Sequence, residues 1–275
     1  RKFRIFNKMY YGGHHKCTRN LFLKFIITFL STIIFVSSSF AKDMTIEIKE
    51  TSNLPIHIYE SRESVANIIA IIGGKGLKNK NGKSRNFLVR KREVFIDGLM
   101  NFYLLPNYTK KEKASYEIRV SDERMKRILA LVKNIKERNG KPVVIVGFSR
   151  GSVDAGQFAK QYPDQISGIV LASGIYTNIS RNAEFYSMQM IIGDTVETPT
   201  LIAHHSDDNC IATPFEYAEK FYMNLNAPSK RLLSYSEGLT NGGECGPLNH
   251  HGFEGIGENV VNEITNWIRE TVRIE

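Results

Sequence analysis

The chain has 275 residues, with 37 Lys and Arg against 28 Asp and Glu and a formal charge of +9. A hydrophobic share of 42% and a charged share of 24% are those of an ordinary globular chain. They exclude a collagen-like, low-complexity or multi-span membrane protein, and the length allows one large domain or two small ones.

The charge is unevenly placed. Residues 1–41 contain seven basic side chains (Arg1, Lys2, Arg4, Lys8, Lys16, Arg19 and Lys24) and no acid. The remainder holds 30 basic against 28 acidic residues, a surplus of +2. Little charge is left to build the basic face that nucleic-acid binding requires, so no nucleic-acid partner is expected. The basic start is followed by an apolar run at 25–36 and then by SSSFA, with the small residues Ser39 and Ala41 at the −3 and −1 positions of a cleavage site. Basic, apolar and small-residue regions in that order predict a secretory signal peptide over 1–41, cut after Ala41. The competing reading is an uncleaved anchor. Lys24 limits the apolar stretch to about 17 residues, short of the roughly 20 needed to span a bilayer. The first residue given is not Met, and Met9 is a candidate start. Export predicts a secreted or periplasmic protein that meets the membrane only through its leader, and an oxidising compartment for the two remaining cysteines, Cys210 and Cys245.

The mature part, 42–275, opens with alternating apolar and polar residues at 44–50 and 56–59, read as strands. Residues 66–74 (ANIIAIIGG) form a continuous β-branched run closed by glycines, the pattern of a strand buried on both faces. A helix is expected over 87–98 and a strand over 100–105. The clearest helix is 122–139, with Met125, Ile128, Leu129, Val132 and Ile135 on one face, Ser121 as N-cap, and Gly140 and Pro142 beyond its end. Buried strands are expected at 142–148, 168–173 and 198–205, and a further strand at 231–236. Helices are expected at 151–161, 214–225 and 258–272. Buried strands alternating with helices predict an α/β fold with a mostly parallel sheet, in one domain.

Gly147-Phe148-Ser149-Arg150-Gly151 matches G-x-S-x-G and stands between a buried strand and a helix. In that context the turn is so tight that only small residues fit around a strained, exposed serine. A serine hydroxyl needs a base, and the base an orienting acid. The strand at 198–205 runs into Ser206-Asp207-Asp208-Asn209, and the strand at 231–236 is followed by a glycine-rich loop carrying His250 and His251. The order Ser, Asp, His is that of the α/β-hydrolases.

On these motifs the chain resembles the α/β-hydrolase superfamily over nearly all of 44–275. The resemblance implies a mostly parallel central sheet flanked by helices, with at most a short cap, since only 175–197 separate the third buried strand from the acid strand. Tyr176, Phe185, Tyr186 and Met188 in that segment either line an acyl pocket or pack on the core. It implies Ser149 as nucleophile. The acid is Asp208, by a His-Gly-x-x-Asp pattern in which His205 replaces Gly, with Asp207 as alternative. The base is His251, by His251-Gly252-Phe253, with His250 as alternative. His204, His205 and His250 are otherwise read as loop hydrogen-bonders. The oxyanion hole would use the backbone N–H groups of Arg150 and of Lys75, in the loop Gly73-Gly74-Lys75-Gly76. The Arg150 side chain is either an ion-pair partner or a binder of a substrate carboxylate. If the acid and base loops meet, Cys210 and Cys245 meet too and can form a disulfide. No metal or cofactor is implied. The expected activity is cleavage of a small-molecule ester or related acyl bond through an acyl-enzyme. A peptidase or amidase on the same residues and a non-catalytic binding protein are the alternatives.

Overall fold

The continuous apolar runs do become strands enclosed on both sides. A computed structural model describes residues 42–273 except 178, 181, 182 and 184. The expected leader and its expected cleavage site lie outside the described residues, apart from Lys42. In chain order the strands are β1 (Lys42–Ile46), β2 (Ile56–Glu60), β3 (Ala66–Ile71), β4 (Met100–Leu104), β5 (Val143–Phe148), β6 (Gly168–Ala172), β7 (Thr200–His205) and β8 (Lys230–Tyr235). They form one eight-stranded sheet in the order β1-β2-β4-β3-β5-β6-β7-β8. Pairing is antiparallel at β1–β2 and β2–β4 and parallel from β4 onward.

The period of two along each strand separates two cores. Ile69 and Ile71 of β3, Ile145 of β5 and Ile169 of β6 face one layer. That layer holds the helices α3 (Tyr116–Val120), α4 (Asp122–Asn139), α5 (Gly151–Gln161), α6 (Met188–Ile191) and α7 (Phe215–Asn224). Ile68 and Ala70, Val144 and Val146, and Val170 face the other layer, built by α1 (Phe87–Arg90), α2 (Arg92–Asp97) and α8 (Gly257–Val272). Each such side chain, wholly removed from water, contributes about 1.5–3 kcal/mol. Helix α4 begins and ends where its caps put it. Ser121 Oγ accepts the Arg124 N–H at 3.2 Å, and Gly140 turns left-handed at φ 66° with its N–H on Lys136 O.

Two expectations need correction, and one element was not expected. The single helix over 87–98 is two helices broken at Lys91, whose backbone leaves the helical region at φ −108°, ψ 15°. The first strand stops at Ile46, because the Thr51 and Ser52 N–H groups both turn back to Ile48 O at 2.9 Å. Helix α3 had no sequence-based expectation; at five residues it is too short to show a period. Among the described residues no helix is long and apolar enough to cross a membrane.

The topology decides where a ligand can sit. The chain leaves β3 for β4 on one side and reaches β5 on the other. A crevice therefore opens at the carboxyl ends of β3 and β5, the usual ligand site of open α/β sheets.

Candidate active site

Ser149 follows β5 and heads α5 at φ 53°, a left-handed conformation that a residue with a side chain adopts only under constraint. The constraint is packing. A Cβ on Gly151 would lie 2.1 Å from Ile71 O, and one on Gly147 2.3 Å from Gly151 O. Strand, turn and helix therefore approach as closely as backbone allows. The Ser149 N–H is held by Ala172 O at 2.8 Å, and its side chain is half-buried.

The candidate acid and base, Asp208 and His251, lie on the loops after β7 and β8. His251 Nδ1 and Asp208 Oδ2 are 2.9 Å apart, both buried. Thr213 Oγ1 donates to the same carboxylate oxygen at 2.9 Å and lies 3.0 Å from His251 Nδ1. The other oxygen accepts the Cys210 N–H at 3.0 Å. Burial by itself would raise the Asp208 carboxyl. The His204 and His251 side chains, by hydrogen bond and charge, outweigh it and hold the group well below the ordinary carboxylate range. Asp208 is thus a carboxylate at any ordinary pH. Asp207 is exposed and is engaged through its backbone, its carbonyl accepting from His250 Nδ1 at 3.1 Å and its N–H donating to His205 Nδ1 at 3.0 Å.

His251 is fixed from behind. Ser173 Oγ donates to His251 O at 2.9 Å. Arg90 donates to Pro247 O at 2.7 Å and to Gly252 O at 3.1 Å, and pairs with Glu254. Phe148 packs on the imidazole, with ring centroids 5.2 Å apart. Thr213, Ser173 and Arg90 had no motif in the sequence; each acts across a distance along the chain that no local pattern reports. Ser149 and His251 line one cleft of about 340 Å³, together with Gly73, Phe148, Arg85 and Cys245. No direct Ser149–His251 hydrogen bond is formed.

Gly73 is pressed onto the serine, where a Cβ would lie 2.7 Å from Ser149 Cβ. The Lys75 and Arg150 N–H groups have no hydrogen-bond acceptor among the described residues. The Arg150 guanidinium lies over the Tyr116 ring at 4.9 Å. Tyr116 in turn stacks on Tyr186 with centroids 5.4 Å apart. Among the described residues no carboxylate pairs with Arg150, so the ion-pair reading of its side chain finds no partner there. Tyr176 and Met188 are core residues, and Phe185 is exposed. None of these, nor Tyr186, lines the cleft.

Cys210 and Cys245 are joined, with Cα atoms 4.5 Å apart. Among the described residues, two donor groups are close enough to share a cation, His205 with Asp207 and His250, and Asp208 with Cys210 and His251. In the first, both His205 nitrogens are engaged, by Glu237 O at 2.7 Å and the Asp207 N–H at 3.0 Å. In the second, the sulfur is in the disulfide and the other two bind each other. Neither is a free ligand set.

His205 predicts a pH effect. Its two hydrogen bonds need the neutral ring, and burial, aided by His250, lowers its pKa. On acidification the unfolded chain takes up this proton before the folded one does. The contribution to stability is therefore full above about pH 6.5 and is lost as pH falls toward the depressed folded value. Urea midpoints should drop between pH 7.5 and 5.5, and His205→Gln should flatten that slope.

No protein-family model and no curated protein matches the sequence. Solved structures do match. A dienelactone hydrolase from Anabaena variabilis superposes with TM-score 0.60 at 14% identity, covering 85% of this chain and 100% of that one. Est1E from Butyrivibrio proteoclasticus gives 0.60 at 15%, covering 85% and 100%. An esterase from Pyrococcus furiosus gives 0.62 at 15%, covering 86% and 92%. The fold is that of the α/β-hydrolases. Ser149 stands at the strand-to-helix turn after β5, Asp208 on the loop after β7 and His251 on the loop after β8.

Proposed function

We propose that this chain is an exported serine hydrolase that cleaves small-molecule esters through an acyl-enzyme. The observation that carries the reading is the buried Asp208–His251 hydrogen bond sharing a cleft with the strained Ser149. With Nδ1–H given to Asp208, His251 Nε2 is the basic nitrogen. Ser149 Oγ attacks the ester carbonyl carbon as its proton passes to Nε2. The negative charge that develops on the carbonyl oxygen is met by the Arg150 and Lys75 N–H groups. Collapse of the intermediate breaks the carbon–oxygen bond, and the alcohol leaves with the Nε2 proton. Water then repeats the sequence on the acyl-enzyme, restoring Ser149 and releasing the acid.

The cleft volume, about 340 Å³, is at the small end of ligand sites and suits a small ester better than a polypeptide. Est1E has been solved with ferulic acid bound. Arg85 lines the wall of the cleft that holds Ser149. A guanidinium there favours an ester that carries a carboxylate.

The test is fluorophosphonate labelling followed by turnover of short esters, a carboxylate-bearing ester with its neutral isostere, and matched amides. Labelling at Ser149, ester turnover well above amide turnover and a lower KM for the anionic ester are expected. An unlabelled, inactive protein would sink the reading. For export, the N-terminus of the secreted or periplasmic product should be Lys42; recovery of the intact chain in membranes would favour an anchor.

A further inference from the structure

Beneath the loop that supplies Lys75 lies a buried ionic cluster that the proposed reaction does not use. Asp154, in the first turn of α5, is fully buried and binds two arginines. Arg119 of α3 donates through Nη1 to Oδ2, and Arg124 of α4 through Nε to Oδ1 at 2.9 Å. Both guanidiniums are themselves buried. Arg124 also reaches Pro106 O at 3.2 Å. Arg119 spends its remaining donors on Ala114 O at 3.2 Å, Ile72 O at 3.0 Å and Gly74 O at 3.3 Å. Two cations and one anion leave a net positive charge directly under the loop.

The geometry points to Arg119 as a positioning residue that orients the oxyanion loop through the carbonyls of Ile72 and Gly74. This rests on the hydrolase reading above. In a planar trans peptide the C=O and the following N–H point opposite ways. Holding Gly74 O on the buried guanidinium therefore turns the Lys75 N–H away from the cluster. The next peptide is held in the same manner, since Lys75 O accepts from the Ala114 N–H at 3.1 Å and from Asn107 Nδ2 at 2.9 Å. The Gly76 N–H, opposite it, turns to Gly73 O at 3.1 Å. The loop is thus set from below by groups that never meet the substrate. Because Asp154 sits five residues after Ser149 on the helix that the serine heads, one carboxylate ties the nucleophile's helix to the loop facing it. A donor array fixed in advance, over a buried positive charge, is what a developing oxyanion requires.

The test compares Arg119→Met, Arg119→Lys and a core variant away from the loop, Ile135→Ala in α4, which should lower stability without touching the site. With a short p-nitrophenyl ester, Arg119→Met should lose about 10–100-fold in kcat with KM changed less than about threefold. Arg119→Lys should recover part of the loss, since an ammonium can reach Asp154 and one carbonyl but cannot fork to both. Ile135→Ala should keep kcat below its melting point. Hydrogen exchange at residues 73–76 should quicken in Arg119→Met and stay unchanged in Ile135→Ala, a readout that needs no turnover. A folded Arg119→Met with kcat within twofold of the parent, or with unchanged exchange at 73–76, overturns the proposal. If Arg119→Met does not fold, Arg119→Lys decides on the same two readouts. A parent protein that cleaves no ester defeats the hydrolase reading, and the exchange arm still judges whether Arg119 holds the loop.

Discussion

Ser149→Ala and His251→Ala are each expected to abolish the acyl-enzyme burst on an activated ester, with kcat falling by about 10⁵-fold or more. The double variant should be hardly worse than either single one, because nucleophile and base act as a unit and neither works without the other. Asp208→Asn should cost somewhat less, about 10⁴-fold. The amide side chain donates where the carboxylate accepted, which sets the imidazole in the wrong tautomer. Thr213→Val removes only a second donor to Asp208, at 2.9 Å from the carboxylate, and should cost far less than any of the three. Asp207→Ala and His250→Ala should leave the burst in place, since the contact between them runs through the Asp207 carbonyl rather than its carboxylate. Burst-phase kinetics on these variants checks all of this. A dead Asp207→Ala or His250→Ala would move the acid or the base by one residue, and full turnover by Ser149→Ala would remove the serine from the chemistry.

Cutting the Cys210–Cys245 link should be the most damaging change to stability. Closing a ring between positions 35 apart in sequence takes about 4 kcal/mol of chain entropy from the unfolded state. The ends of that ring are also the site. Cys210 donates its N–H to Asp208, and Cys245 lines the cleft beside Ser149 and His251. Cys210→Ser with Cys245→Ser should lower the unfolding free energy by about 2–5 kcal/mol and lower kcat more than it raises KM, since acid and base are misaligned together. Denaturant melts and steady-state kinetics with and without reductant provide the check. A double serine variant with unchanged melting would show that the loops are held by their hydrogen bonds alone, those of Thr213 and Arg90 included.

Much of this molecule was legible along the chain because the signals are local. A strand enclosed on both faces is apolar at nearly every position, and 66–74, 142–148 and 168–173 read so directly, with Asn67 the one buried polar exception within β3. A helix end needs a cap within four residues, and Ser121 and Gly140 are such caps. The turn between β5 and α5 excludes side chains at Gly147 and Gly151 by backbone contact, so its pattern is visible in five letters. The order of serine, acid and base follows from the order of strands, which the alternation of elements already implied.

Other features were decided only by tertiary contact. Between Asp207 and Asp208, and between His250 and His251, short motifs favour Asp208 and His251 but leave their neighbours as alternatives. The turn Asn249–Phe253, closed by Phe253 at φ 53°, sends one imidazole to the buried Asp208 and the next to the Asp207 carbonyl. Arg150 could have been an ion-pair partner; the structure lays it on Tyr116, from a helix too short to have a period. The two arginines of the buried cluster stand 35 and 30 residues from Asp154 along the chain. A charge buried by a distant partner looks, in sequence, like any surface charge on a helix. Strands, caps and the serine turn were therefore determined by the sequence alone, because each obeys a rule satisfied within a few residues. Which acid meets which base, and what holds the loop facing the serine, only the folded chain decides, because those contacts form between segments with no common local pattern.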